Sequence, residues 1–255
     1  MQNLKHSKLY PIVLFGGPLL VGAVNLMHPM VIPPVYQSIA PHITWWIALH
    51  FLNLLLFPLL GLSAYLLVSE IPGFAAGLSR IAIALFIPLY AGFDALVGIG
   101  TGVLVWNASR LPASQLSVVA ALIDKYWASN VTSAVAASGS IAWVIAMLAA
   151  ATAFTAPERR RTTAVVSLII FMAGGWAMEN LFLPHPGATP LLWWVISLGS
   201  GLLIFAVSKP RIVPSLLVLA GSLFGAAHVP PTGPLAMLCF LIAAGFAKTS
   251  LRRPT

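Results

Sequence analysis

The sequence predicts an all-α integral membrane protein of about eight transmembrane helices, and three observations predict it. Hydrophobic residues make up 60% of the chain and charged residues only 7%, against about 25% charged in a soluble domain. The apolar residues fall in runs close to the length that crosses a bilayer, about 20 residues. The basic residues fall between those runs, and almost all on one side.

Each observation constrains the fold in turn. A surface with so few charges cannot be kept in water, so the solvent of this chain is lipid. The candidate spans are 9–27, 43–68, 81–106, 131–155, 163–182, 191–207, 212–228 and 232–247. The last three are short, which suits low tilt, locally thinned bilayer, or a broken or re-entrant piece. With the N-terminus inside, Lys5, Lys8, Arg80, Arg159, Arg160, Arg161, Lys209, Arg211, Lys248, Arg252 and Arg253 all fall on the cytoplasmic side, and only Arg110 and Lys125 fall outside. That is eleven of the 13 basic residues, a strong orienting bias that also requires an even number of spans. The expected home is a plasma or bacterial inner membrane, with both termini cytoplasmic.

The remaining composition excludes other classes. The formal charge of +8 is spent on topology and on anionic lipid, with no basic patch interleaved with aromatics, so nucleic acid is not a partner. Cys239 is the one cysteine, which rules out an intramolecular disulfide and any cysteine-based zinc or iron–sulfur site. The basic start followed by 9–27 resembles a signal peptide in outline. The run is long for one and lacks a clear cleavage site, so it reads as a retained first helix. No Walker motif, dinucleotide fingerprint or G-x-S-x-G elbow is present.

The longest loop, 107–130, falls outside. Within it Leu116, Val119, Leu122, Ile123, Tyr126 and Trp127 recur at helical spacing, with Ser117, Asp124 and Lys125 on other faces. This predicts a short amphipathic helix, lying on the outer membrane surface or packed on the bundle as a cap.

The two halves resemble each other in order. Asn25-Leu26 before His28-Pro29 parallels Asn180-Leu181 before His185-Pro186. Trp45-Trp46-Ile47 parallels Trp193-Trp194-Val195, and Arg80 to Phe93 matches Arg211 to Phe224 in spacing. Ala149-Ala150 before Arg159-Arg160 parallels Ala243-Ala244 before Arg252-Arg253. The series predicts a duplication of four helices, residues 1–158 repeated as 159–255, the copies related by an axis along the membrane normal. The second copy lacks counterparts of His50 and Asp94.

Candidate chemistry concentrates toward the outer side. Asp94 falls near the middle of the third span, one turn from Tyr90 and from Gly98. His50 and Asn53 share one face of the second span. Glu179 and Asn180 end the fifth. An ionisable side chain at membrane depth costs at least a few kcal/mol, so such a group faces the interior and has a partner or a function. For Asp94 the alternatives are proton, cation or ligand handling, and a protonated carboxyl bonded to Tyr90 or to a serine of the fourth span. His28, His185 and His228 fall at outer helix ends. Their imidazoles suit haem or a divalent metal, although a histidine at a helix end also serves as a cap. His42 begins the second span. Gly98-x-x-x-Gly102, with Ser133, Ser138, Gly139 and Ser140 of the fourth span, permits close helix contact. The doubled tryptophans suit an aromatic belt.

These residues point to a membrane protein that binds or transports a small ligand, ion or proton at an outward-facing intramembrane polar site. The alternatives are a redox enzyme holding haem or a metal on its histidines, and an accessory subunit of a membrane complex. The expected partners are the lipid bilayer, a small molecule or ion, and a second copy or another subunit.

Overall fold

The computed structural model describes residues 8–155, 212–226 and 228–250, and among them every regular element is helical. Helix α1 runs Leu9–Asn25. A short helix α2, Val35–Ile39, and a 3-10 turn, Ala40–His42, lead into α3, Ile43–Val68. Helix α4, Phe74–Phe93, passes without interruption into a π-helix, Asp94–Ile99, and then α5, Gly100–Ala108. Helix α6, Ala113–Trp127, is followed by α7, Asn130–Ala153. Two further helices are α8, Ile212–Ala226, and α9, Thr232–Ser250. The expected spans 163–182 and 191–207, with Trp193, Trp194, Glu179, Asn180 and His185, lie outside the described residues.

Three helical stretches, Val35–Val68, Phe74–Ala108 and Ala113–Ala153, are long and apolar enough to cross a membrane, and α1, α8 and α9 are shorter apolar helices. The outward side chains have the character this requires: Leu55 is 73% exposed and Ile81 62%, each within a long apolar stretch, and Ile12 of the shorter α1 is 62% exposed. In water such a surface would be an aggregation hazard; against hydrocarbon it is at home.

Six helices close into a ring. Going round it, α1 packs on α3, α3 on α4, α4 on α7, α7 on α8, α8 on α9, and α9 returns to α1. Hydrocarbon tails are as apolar as leucine, so burial alone does not drive such contacts; close packing of small residues and interhelical hydrogen bonds do. Gly17 of α1 faces Ser63 of α3, Gly139 of α7 lies against the backbone of Tyr90, and Gly221 and Gly225 of α8 receive Met147 and Val144 of α7. Ser63 Oγ donates to the Val13 carbonyl (2.7 Å), Ser79 Oγ to Ala146 (2.9 Å) and Trp143 Nε1 to Ala220 (3.2 Å). The centre of the ring is filled by aromatic side chains. Phe57 meets Tyr90 at 4.7 Å between ring centres, Phe86 meets Trp143 at 4.9 Å, and Phe224 meets both Tyr90 and Trp143 at 5.3 Å.

The third span begins at Phe74, earlier than the expected residue 81. The reason is Arg80, which was expected to end the preceding polar loop. Its guanidinium reaches back to the Val68 and Ile71 carbonyls (3.1 and 3.2 Å) at the C-terminal end of α3, where a cation satisfies free carbonyls and the helix dipole. It can therefore sit inside α4.

Helix α6 is the expected amphipathic helix, and it caps the bundle. Ile123 is buried with Val35, Ile39, Trp46, Val105 and Ala108, and Leu116, Val119 and Trp127 pack on them. Leu122, expected on this apolar face, instead points away with Val118 (58% and 64% exposed). Two polar bonds fix the cap. Asp124 Oδ1 accepts from the Val35 backbone N–H (2.7 Å), and the Tyr126 hydroxyl donates to the Leu96 carbonyl of the π-helix (2.5 Å). Removing that hydroxyl in Tyr126→Phe is expected to weaken the fold by about 1 kcal/mol. Amide exchange across Ala113–Trp127 should rise; unchanged exchange would show that the apolar face alone holds α6.

Candidate functional site

Beneath the cap, at the end of the ring where α1 ends, α3 begins and α8 gives way to α9, two helical positions and two inter-helix connections bring polar side chains into one buried cluster. They are His28 after α1, His50 of α3, Asp94 at the start of the π-helix, and His228 after α8. Lys8, Arg80 and Lys248 belong to the opposite ends of their helices.

His28 stands at the junction of the cluster. Its ring centre is 5.2 Å from that of His50, 5.1 Å from His228 and 5.2 Å from Trp46. All three histidines are at least nine-tenths buried. His28 Nδ1 lies 2.8 Å from the Pro29 carbonyl, and His50 Nδ1 lies 2.7 Å from the Trp46 carbonyl. A carbonyl oxygen only accepts, so in both rings Nδ1 carries the proton and Nε2 presents a lone pair. His50 Nε2 is 3.9 Å from Asp94 Oδ1. His228 Nδ1 is 3.1 Å from the Tyr90 hydroxyl.

Several atoms in this cluster are buried without a hydrogen-bond partner: Nε2 of His28, Nε2 of His228 and both carboxyl oxygens of Asp94. Asp94 is fully buried. An unsatisfied buried polar atom costs about 1–3 kcal/mol, more when charged, so their grouping at one place is an expense that ordinary helix packing does not require.

The local backbone explains how Asp94 is held. A π-helix leaves carbonyls out of the regular ladder and occurs often at functional sites. Here two are taken by side chains: Leu96 by Tyr126, as above, and Gly98 by Trp46 Nε1 (2.7 Å). Gly98 is needed for a second reason. A Cβ on it would lie 1.9 Å from His50 Cδ2, so only glycine lets the imidazole lie flat against the π-helix.

The structure therefore brings together four of the expected ligand-binding residues. Asp94, His50 and Tyr90 are in the cluster, and Asn53 lies on the same face of α3. Asn53 exchanges long amide contacts with Asn25 of α1 (3.4 and 3.5 Å). Of the expected metal ligands, His28 and His228 meet, while His185 lies outside the described residues, as do Glu179 and Asn180. His42 is exposed and stands apart. Two expectations are corrected. Asp94 is not bonded to Tyr90, whose hydroxyl turns to His228. Trp46 does not belong to an aromatic belt: it is buried, its ring 4.3 Å from His50, and only Trp45 stays near the surface, bonded to the Met27 carbonyl (2.8 Å). Asn25, which meets Asn53, is not among the residues expected at the site. Asn25 carried a usable signal, an amide in the last turn of an apolar run.

No family model, curated protein or solved structure matches this chain.

Proposed function

We propose that this is a multi-pass membrane protein that binds and transports a small ligand, ion or proton at the Asp94 cluster. The observation that carries the reading is Asp94 itself, a carboxyl fully buried among apolar helices, with neither oxygen hydrogen-bonded and a histidine ring nitrogen 3.9 Å away. A group so costly to place is retained where it works. The basic residues orient the cluster to the outside and both termini to the cytoplasm. On this reading there are eight spans in two related four-helix halves, and the described ring combines helices from both.

The test is flux in proteoliposomes carrying a trapped pH dye or a zinc-sensitive dye. Wild-type protein is expected to pass protons or Zn2+ at least tenfold faster than empty vesicles, and Asp94→Asn to return the rate to background while the protein still folds. Flux that is absent from wild type, or equal in the variant, would overturn transport and favour an accessory role, seen as obligatory co-purification with another subunit.

The three imidazoles favour a second reading, a metal-dependent redox enzyme. It predicts a metal whose oxidation state changes on reduction of the purified protein.

A further inference from the structure

We propose that the Nε2 atoms of His28, His50 and His228, together with the Asp94 carboxylate, bind one divalent transition-metal ion of the zinc and cobalt class. The proposal rests on the reading of this cluster as the ligand site and names its occupant.

The chemistry of the rings comes first. Metal-ligating histidines characteristically donate the other ring N–H to a carbonyl or carboxylate, which fixes the tautomer and turns the free nitrogen toward the ion. His28 does this through Pro29 and His50 through Trp46. For His228 the corresponding partner of Nδ1 is the Tyr90 hydroxyl, which accepts when Nε2 is the ligand. Two of the three Nε2 atoms are buried and unpartnered, as are both oxygens of Asp94.

Spacing comes second. An ion about 2.0–2.1 Å from Nε2 lies roughly 3.2 Å from the ring centre, so two imidazoles at tetrahedral positions hold their ring centres about 5.2 Å apart. The observed separations from His28 are 5.2 and 5.1 Å; His50 and His228 make no ring contact with each other, so these two must draw together to complete the set. Two axial imidazoles of a haem would stand on opposite faces of the macrocycle, with centres roughly 6 Å or more apart. The rings of His50 and His228 are inclined to that of His28 by 75° and 85° at these shorter separations.

Among the described residues no three such side chains stand where they could hold an ion as placed, so the site forms only when its side chains move. His50 Nε2 and Asp94 Oδ1 are 3.9 Å apart, where two ligands of one zinc ion lie about 3.3 Å apart. Closing that gap takes a few tenths of an ångström from each side chain, a movement that rotation about side-chain bonds supplies. A set of imidazoles with one carboxylate selects a zinc-like ion over magnesium or calcium, which prefer oxygen.

The experiment is a Co2+ titration of the chelator-stripped, full-length protein in detergent. Expected are one Co2+ per chain, intense visible bands of four-coordinate cobalt, and their loss on adding Zn2+. His28→Gln and His50→Gln should each weaken binding at least tenfold, and His42→Gln should leave it unchanged. Dichroism and gel filtration establish that each variant folds. If His50→Gln does not, the wild-type stoichiometry and His28→Gln decide. Wild type that binds no stoichiometric Co2+, or binding that survives the His28 change, overturns the metal. Asp94-dependent proton flux in such a protein would leave transport standing. Tight Co2+ binding without Asp94-dependent flux would do the reverse.

Discussion

Gly233→Ala is expected to be the most damaging single methyl group that can be added to the described part of this protein. A Cβ at position 233 would lie 1.8 Å from the His228 carbonyl oxygen and 2.4 Å from its carbon. These are backbone atoms, so no side-chain rotation relieves the overlap. The turn between α8 and α9 must rebuild, and His228 must move with it. Overpacking ordinarily costs about 1–3 kcal/mol, and an obstacle of backbone belongs at or above the top of that range. The measurement is unfolding of the purified protein in mixed micelles against increasing denaturing detergent. The variant should unfold at a markedly lower fraction and lose ligand or metal binding with it. A variant as stable as wild type would show that the turn has another conformation of equal energy.

Gly98→Ala is the second. Its Cβ would meet the His50 ring at 1.9 to 2.7 Å, and the ring has little room to yield. One face packs on Trp46, and its Nδ1 is tied to the Trp46 carbonyl. The imidazole must leave, and the Trp46–Gly98 bond goes with it. A loss of about 1–3 kcal/mol is expected, with disappearance of the function carried by His50. Gly92→Ala is the control. A Cβ there meets nothing within 4 Å, so removing a glycine from a helix interior should leave the protein unchanged or steadier by up to about 1 kcal/mol. If Gly92→Ala harmed the protein as much as Gly98→Ala, the effect would lie in helix flexibility and not in the imidazole's seat.

How much of this was legible in the sequence depended on range. The second span was placed at 43–68, where the structure has it, because a largely apolar run without a charged residue lies between His42 and the Ser69-Glu70 pair. Asp94, His50, Asn53 and Tyr90 stood out because polar side chains inside apolar runs demand a reason. What spacing could not show was assembly. Residues 28, 50, 94 and 228 converge only when the ring closes, and no local pattern connects them. The π-helix was equally hidden. Two of its carbonyls are satisfied by Trp46 and Tyr126, which lie far away in sequence. Leu122 was misplaced for a similar reason: six apolar residues at helical spacing describe a face wider than α6 buries. The helical start at Phe74 was obscured by Arg80, since a charge looks like a loop until its acceptors on α3 are known.

The closed ring also bears on how the protein is made. Helices enter a membrane in order of synthesis, and α1, α3, α4 and α7 are complete some sixty residues before α8 begins. Until α8 and α9 arrive, α1 and α7 each lack one flanking neighbour, and His28, His50 and Asp94 wait beside an open seam. On the membrane reading, several seconds separate the completion of α7 from the start of α8 at ordinary elongation rates of about 5–20 residues per second. The cluster is thus complete only when the last turn of the chain between α8 and α9 has brought His228 to the other three residues.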